Sequence, residues 1–172
     1  MEWKEELQQH TKEAEKVVQG YLPEETGHQK LLIEASNYSV LVGGKRLRPM
    51  IMLESFKAFG GTGNVVEPFM AALEMIHSGS LVHDDLPCMD NDEYRRGNLT
   101  TWKKYGYDMA VLAGDKLFIY AFETAAKAFA LTDRADLVGK AISILANKAG
   151  IYGMIGGQSV DVEYTDRPVT KS

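Results

Sequence analysis

An all-α fold is predicted by three observations. Apolar residues recur at helical spacing through most of the chain, Gly and Pro punctuate those stretches, and no run shows the two-residue alternation of a half-buried strand. The first helix carries Leu7, His10, Thr11, Ala14, Val17 and Val18 between Glu2 and Gln19, and Gly20 stops it. The second carries Leu31, Leu32, Ala35, Tyr38 and Val42 and ends at Gly43-Gly44. A third opens at Pro49, whose missing N–H is harmless in a first turn, and runs to Gly60-Gly61. Pro68 opens a fourth, which stays apolar up to Asp84. Another spans Tyr107 to about Ala130, and the last runs from about Arg134 to Glu163 with Gly150, Gly153, Gly156 and Gly157 inside it. Each Gly in a helix costs about 1 kcal/mol relative to Ala, so this group marks close approach by a neighbour or a break near Gly156. Thr165 to Ser172 reads as a loop entering a further helix, with Pro168 near its first turn.

The 172 residues suit a single all-α domain spanning 1–172 with a sizeable core, at 45% hydrophobic and 25% charged composition. A net charge of −5 provides no global basic field, so nucleic acid is not an expected partner. Any anionic ligand has to be met by metals and a few placed cations. Cys88 is the lone cysteine, which excludes an internal disulfide and fits a reducing compartment. Met1-Glu2-Trp3-Lys4-Glu5-Glu6 is no signal peptide and no apolar run reaches membrane-span length, so the expected location is cytoplasmic.

Charge concentrates in one stretch. From His83 to Gly97 the chain carries Asp84, Asp85, Asp90, Asp92, Glu93, Arg95 and Arg96, directly after the fourth helix. Pro87 forbids another regular turn, so helix gives way to loop near Leu86. On an unbroken helix Asp84 and Asp90 would diverge by roughly 120°. A loop folds Asp90 back beside Asp84 instead. Grouped carboxylates with no Cys or His ligand set suit a hard ion such as Mg²⁺ that keeps part of its water. Arg95 and Arg96 add planar donors matched to phosphate oxygens. Carboxylates, metal and arginines together describe a diphosphate site.

Three further stretches fit an anionic ligand. Gly43-Gly44-Lys45-Arg46-Leu47-Arg48-Pro49 is a cationic turn ahead of a helix N-terminus, where Gly lets backbone approach an anion and Lys45 and Arg48 supply charge. His77, Ser80 and Asp84 lie at i, i+3 and i+7, on one helix face. Gln158 and Asp161 lie three apart beside Gly156-Gly157, and Gly114-Asp115 interrupts an apolar helix.

Together these stretches, in this order and over nearly the whole chain, resemble the trans-prenyltransferase family, the short-chain isoprenyl diphosphate synthases that make farnesyl or geranylgeranyl diphosphate. The form Asp84-Asp85-x-x-x-x-Asp90 is similar to that of bacterial farnesyl and plant-type geranylgeranyl synthases. The resemblance implies a helical bundle of the isoprenoid synthase type around a central apolar cavity, usually a homodimer. It implies catalytic roles for Asp84, Asp85 and Asp90, with Asp84 and Asp90 holding Mg²⁺ on the allylic diphosphate. It assigns Arg95 to the allylic diphosphate and Gly44, Lys45, Arg48, His77 and Arg96 to isopentenyl diphosphate, with Gln158 and Asp161 facing the cavity near the metals.

The chain departs from the family pattern in three places. Leu99-Thr100-Thr101-Trp102 stands where the family usually has Pro-Thr-x-His, which is expected to alter loop packing rather than chemistry. Gly79 stands five residues before Asp84, where many farnesyl synthases carry an aromatic cavity floor, so Gly79→Tyr is expected to shorten the product. The family's second aspartate-rich motif, and the C-terminal helices that bear it, would lie beyond Ser172, so the domain reads as truncated and this chain alone is expected to be inactive. A non-catalytic synthase-like subunit is the alternative. A terpene cyclase fits less well, because the basic turn provides for a second diphosphate.

Overall fold

A computed structural model of the protein describes residues 3–165 and 167. The helices are α1 (Trp3–Gly20), α2 (Lys30–Leu41), α3 (Leu47–Ala58) and α4 (Glu67–Asp84), then α5 (Thr101–Tyr105), α6 (Tyr107–Ala126), α7 (Ala135–Ala149) and α8 (Met154–Tyr164). A two-stranded ribbon, β1 (Tyr94–Arg95) antiparallel to β2 (Asn98–Leu99), separates α4 from α5. The chain divides into two compact units, Met1–Asp133 and Arg134–Ser172. No helix among the described residues is long and apolar enough to cross a membrane. The all-α expectation holds. The expected helix entry at Pro168 lies outside the described residues.

The departures have local causes. Arg46 adopts a left-handed backbone at φ 48° and starts α3 at Leu47, so Pro49 falls inside the first turn instead of opening it. The ribbon turns through Arg96 (φ 54°) and Gly97 (φ 79°), both left-handed as a two-residue hairpin of the I′ kind requires. It is too short to show a two-residue period. The helix after Tyr107 stays α-helical to Ala126 and tightens to a 3₁₀ turn over Lys127–Leu131. In the second unit the single long helix expected over 134–163 is two helices. The break falls at Gly150–Gly153 rather than near Gly156, and a Cβ on Gly153 would lie 1.9 Å from the Lys148 carbonyl oxygen.

In the first unit α4 touches α1, α2, α3 and α6, and its contact with α6 is the most extensive. Small buried residues make that approach close: Ala71, Ala72, Ser78 and Gly79 on α4, and Ala110, Ala113, Gly114, Ala121 and Ala125 on α6. Met70, Met75 and Leu117 fill the rest and are fully buried. A second cluster seats Ala14 of α1 and Met50 of α3 against Val66 and Met70.

This packing also places Gly79. A Cβ there would lie 3.2 Å from Leu117 Cβ and 3.3 Å from the Gly114 carbonyl oxygen. Gly79 is a contact residue between α4 and α6. A larger side chain at this position meets α6, so Gly79→Tyr is expected to lower stability as well as to shorten the product.

Lys116 of α6 is half-buried. Its Nζ is buried without a hydrogen-bond partner and lies 4.4 Å from the centre of the Tyr120 ring. Burial pushes its pKa down from 10.5 to about 8. The unfolded amine therefore holds its proton between pH 8 and 10.5 while the folded one has lost it. The charge penalty is complete below pH 8, and stability rises with pH across that window. Lys116→Met is expected to raise Tm by about 3 °C or more at pH 7, and thermal melts at pH 10 should show the advantage shrinking.

Candidate active site

α4 delivers its acidic end through a defined break. The Asp85 amide still donates to the Leu81 carbonyl at 3.0 Å, but beyond Leu86 the chain turns back. The Asp90 amide donates to the Asp84 carbonyl at 2.8 Å, and the Asn91 amide, from a left-handed residue at φ 55°, donates to the Leu86 carbonyl at 3.1 Å. The loop thus closes on the helix end and brings Asp90 to Asp84. Burial raises the Asp84 pKa, and the Asp90 charge raises it further. Neither carboxylate has a cation within ion-pairing distance among the described residues.

Asp85 has a different environment. It is 4% exposed, and its Oδ1 accepts from Arg95 Nε at 2.7 Å and from Arg95 Nη2 at 2.6 Å. Burial still leaves its pKa raised. The three aspartates therefore divide into one buried carboxylate paired with Arg95 and two, half-buried Asp84 and exposed Asp90, left open to a cation. A hard divalent cation fits the open pair, because Mg²⁺ commonly takes one or two carboxylates and fills its octahedron with water and phosphate oxygens. No group of three His, Cys, Asp or Glu among the described residues makes a closed protein site.

The cationic groups gather further back along α4. The Arg96 guanidinium donates to the Gly43 carbonyl, and a Cβ on Gly44 would lie 2.6 Å from Arg96 Nη1. Only glycine lets the guanidinium lie against this turn. His77 is half-buried; burial lowers its pKa first, with Arg48 next and Arg96 and Arg46 also contributing. Arg48, Arg96 and His77 thus share one positive field, with Lys45 and Arg48 open to solvent. Ser80, expected on the same face, spends its hydroxyl on the His77 carbonyl within the helix. His77 and Asp84 are seven residues apart on α4, about 10 Å along the axis.

Arg46 was not among the residues expected to matter. It is 2% exposed and lies under the turn, bonded to Glu15, Glu74 and the Val40 carbonyl. The only sequence signal was Glu74, a lone acid on the otherwise apolar stretch of α4.

Two smaller puzzles resolve. Trp102 Nε1 and Thr100 Oγ1 both donate to the Asp92 carbonyl at 2.8 Å, so the unexpected indole holds the acidic loop closed. Gly114 makes room for His83, because a Cβ there would lie 2.2 Å from its Nε2. That nitrogen is 3.0 Å from the Val111 carbonyl oxygen and 3.7 Å from Asp115 Oδ1, so α6 grips the residue just before Asp84. Gln158 and Asp161 lie one turn apart on α8 in the second unit.

The polyprenyl synthetase family model matches residues 29–171. A chloroplastic geranylgeranyl pyrophosphate synthase of Catharanthus roseus is 49% identical over 129 residues, 75% of this chain and 36% of that protein. A farnesyl diphosphate synthase of Geobacillus stearothermophilus is 39% identical over 166 residues, 96% of this chain and 56% of that protein. The chain therefore spans between about one third and just over half of these relatives' length. Among solved structures, an FPP/GFPP synthase from Zymomonas mobilis superposes with a TM-score of 0.88 at 34% identity, covering 96% of this chain and 60% of that one. By sequence match and by fold, the chain belongs to the polyprenyl synthetase family.

Proposed function

We propose that the protein is a Mg²⁺-dependent prenyltransferase that joins isopentenyl diphosphate to an allylic diphosphate, dimethylallyl or geranyl, to give farnesyl or geranylgeranyl diphosphate. The observation that carries this reading is the division of α4 into two sites of opposite charge about two turns apart. Both substrates are diphosphates. One needs its leaving group drawn off, and the other needs only to be held.

Mg²⁺ held by Asp84 and Asp90 with diphosphate oxygens would neutralise charge on the departing diphosphate. Asp85 keeps Arg95 aimed, leaving the Arg95 side chain 30% exposed and available to the allylic diphosphate. Gly44, Lys45, Arg48, His77 and Arg96 would hold isopentenyl diphosphate by its charge. The allylic C–O bond breaks, the isopentenyl double bond attacks the allylic carbon, and a proton leaves to the released diphosphate. Gln158 and Asp161 are assigned to the same reaction on the family resemblance. A homodimer in the cytoplasm is the expected working form.

Turnover of the full gene product with isopentenyl diphosphate, geranyl diphosphate and Mg²⁺, read as prenyl alcohols after dephosphorylation, tests the reading. A metal-dependent, elongated product is expected; its absence from a folded protein would sink it. Asp84→Asn should lower kcat by about 10²-fold or more with the isopentenyl diphosphate KM little changed. Arg96→Gln should do the reverse, raising that KM about ten-fold or more.

A further inference from the structure

The basic turn raises a physical difficulty. Gly43 and Gly44 have no side chains to fix them, and Lys45 and Arg48 point mutually repelling charges at solvent. Such a segment loses much conformational freedom when it closes on an anion, and that loss weakens binding. Arg46 lies between the two cations and points the other way. Its left-handed backbone, at φ 48°, is sparsely used by non-glycine residues and turns the side chain inward.

There the guanidinium reaches three helices at once. Its Nε and Nη2 donate to Glu15 of α1, Nη1 donates to Glu74 of α4 at 2.7 Å, and Nη2 also donates to the Val40 carbonyl of α2. Burial favours its neutral form, but the bonds to Glu15 and Glu74 outweigh that and hold it cationic. Glu74 is one turn before His77 on α4. The same fork therefore ties the turn to the helix that presents the histidine. Lysine, a point charge, has no planar fork to reproduce this.

We propose that Arg46 is a positioning residue that locks the Gly43–Arg48 turn onto α1, α2 and α4, so that Lys45, Arg48 and His77 meet the isopentenyl diphosphate headgroup as a preformed cradle. Arg46 itself does not touch the ligand. The proposal rests on the reading of this cluster as the isopentenyl diphosphate site. It differs from a purely fold-holding role, which would lower stability and leave substrate affinity alone.

The test compares wild type, Arg46→Lys and Glu15→Gln in the full gene product. Affinity for inorganic pyrophosphate without divalent metal is measured by calorimetry, together with KM for both substrates and deuterium uptake of the peptide containing residues 43–48. Arg46→Lys is expected to weaken pyrophosphate affinity and raise the isopentenyl diphosphate KM about ten-fold or more, with faster exchange in the peptide and the allylic KM within about two-fold. Glu15→Gln keeps an acceptor in place at the more open end of the network, and a smaller loss of about three-fold is expected. Unchanged pyrophosphate affinity in folded variants, whatever their Tm, overturns the proposal. Should Arg46→Lys not fold, Glu15→Gln decides by the same readings. Wild type that binds no metal-free pyrophosphate also overturns it. Wild type that binds pyrophosphate but shows no turnover defeats the catalytic reading alone, and the variant affinities still decide the role of Arg46.

Discussion

The Asp84 carbonyl accepts the amide of Asp90, and the rest of the acidic site depends on that bond. It brings Asp90, six residues on, back beside Asp84, and neither carboxylate forms an ion pair among the described residues. Pro87 enforces the break that permits it, since a continuing helix would point the two side chains apart. His83 steadies the helix end from the other side, gripped by α6 through the room that Gly114 leaves. Arg95 neutralises Asp85, so the buried acid of the motif does not compete with the open ones. Removing the return of the loop would leave a set of surface charges without a site.

α4 carries both diphosphate sites on the proposed reading, and it does so because it is the helix around which the first unit packs. Alanine and glycine on α4 and α6 bring the two backbones close, which leaves little room for the helix to rotate or slide. A rigid helix holds the separation of His77 from Asp84 constant. The basic turn and the hairpin then close on it from outside, joined to each other through Arg96 and Gly43.

Much of this was legible in the sequence. The helical period located α4 and α6, and Pro87 foretold the loop return because it acts locally. The basic turn was legible by composition. What escaped was set by contacts between distant segments or by lengths below a period. The Tyr94–Leu99 ribbon and α5 are too short for any repeat to register. Arg46 reads in sequence as one more surface cation, and only folding reveals that Glu15 and Glu74, 31 residues before and 28 after it, meet its side chain. Gly79 was half legible for the same reason: its spacing from Asp84 was visible, and its contact with Leu117 was not. The break between α7 and α8 came earlier than expected because Gly153, against the Lys148 carbonyl, makes the turn.

The division of labour along α4 is the central claim, and calorimetric titration of the full gene product with inorganic pyrophosphate, with and without Mg²⁺, tests it most directly. The expected result is one binding event without metal, at the basic turn, and a second that appears only with Mg²⁺ and disappears in Asp90→Asn. A single event indifferent to both Mg²⁺ and Asp90→Asn would contradict it, leaving the carboxylate pair with no ligand to hold.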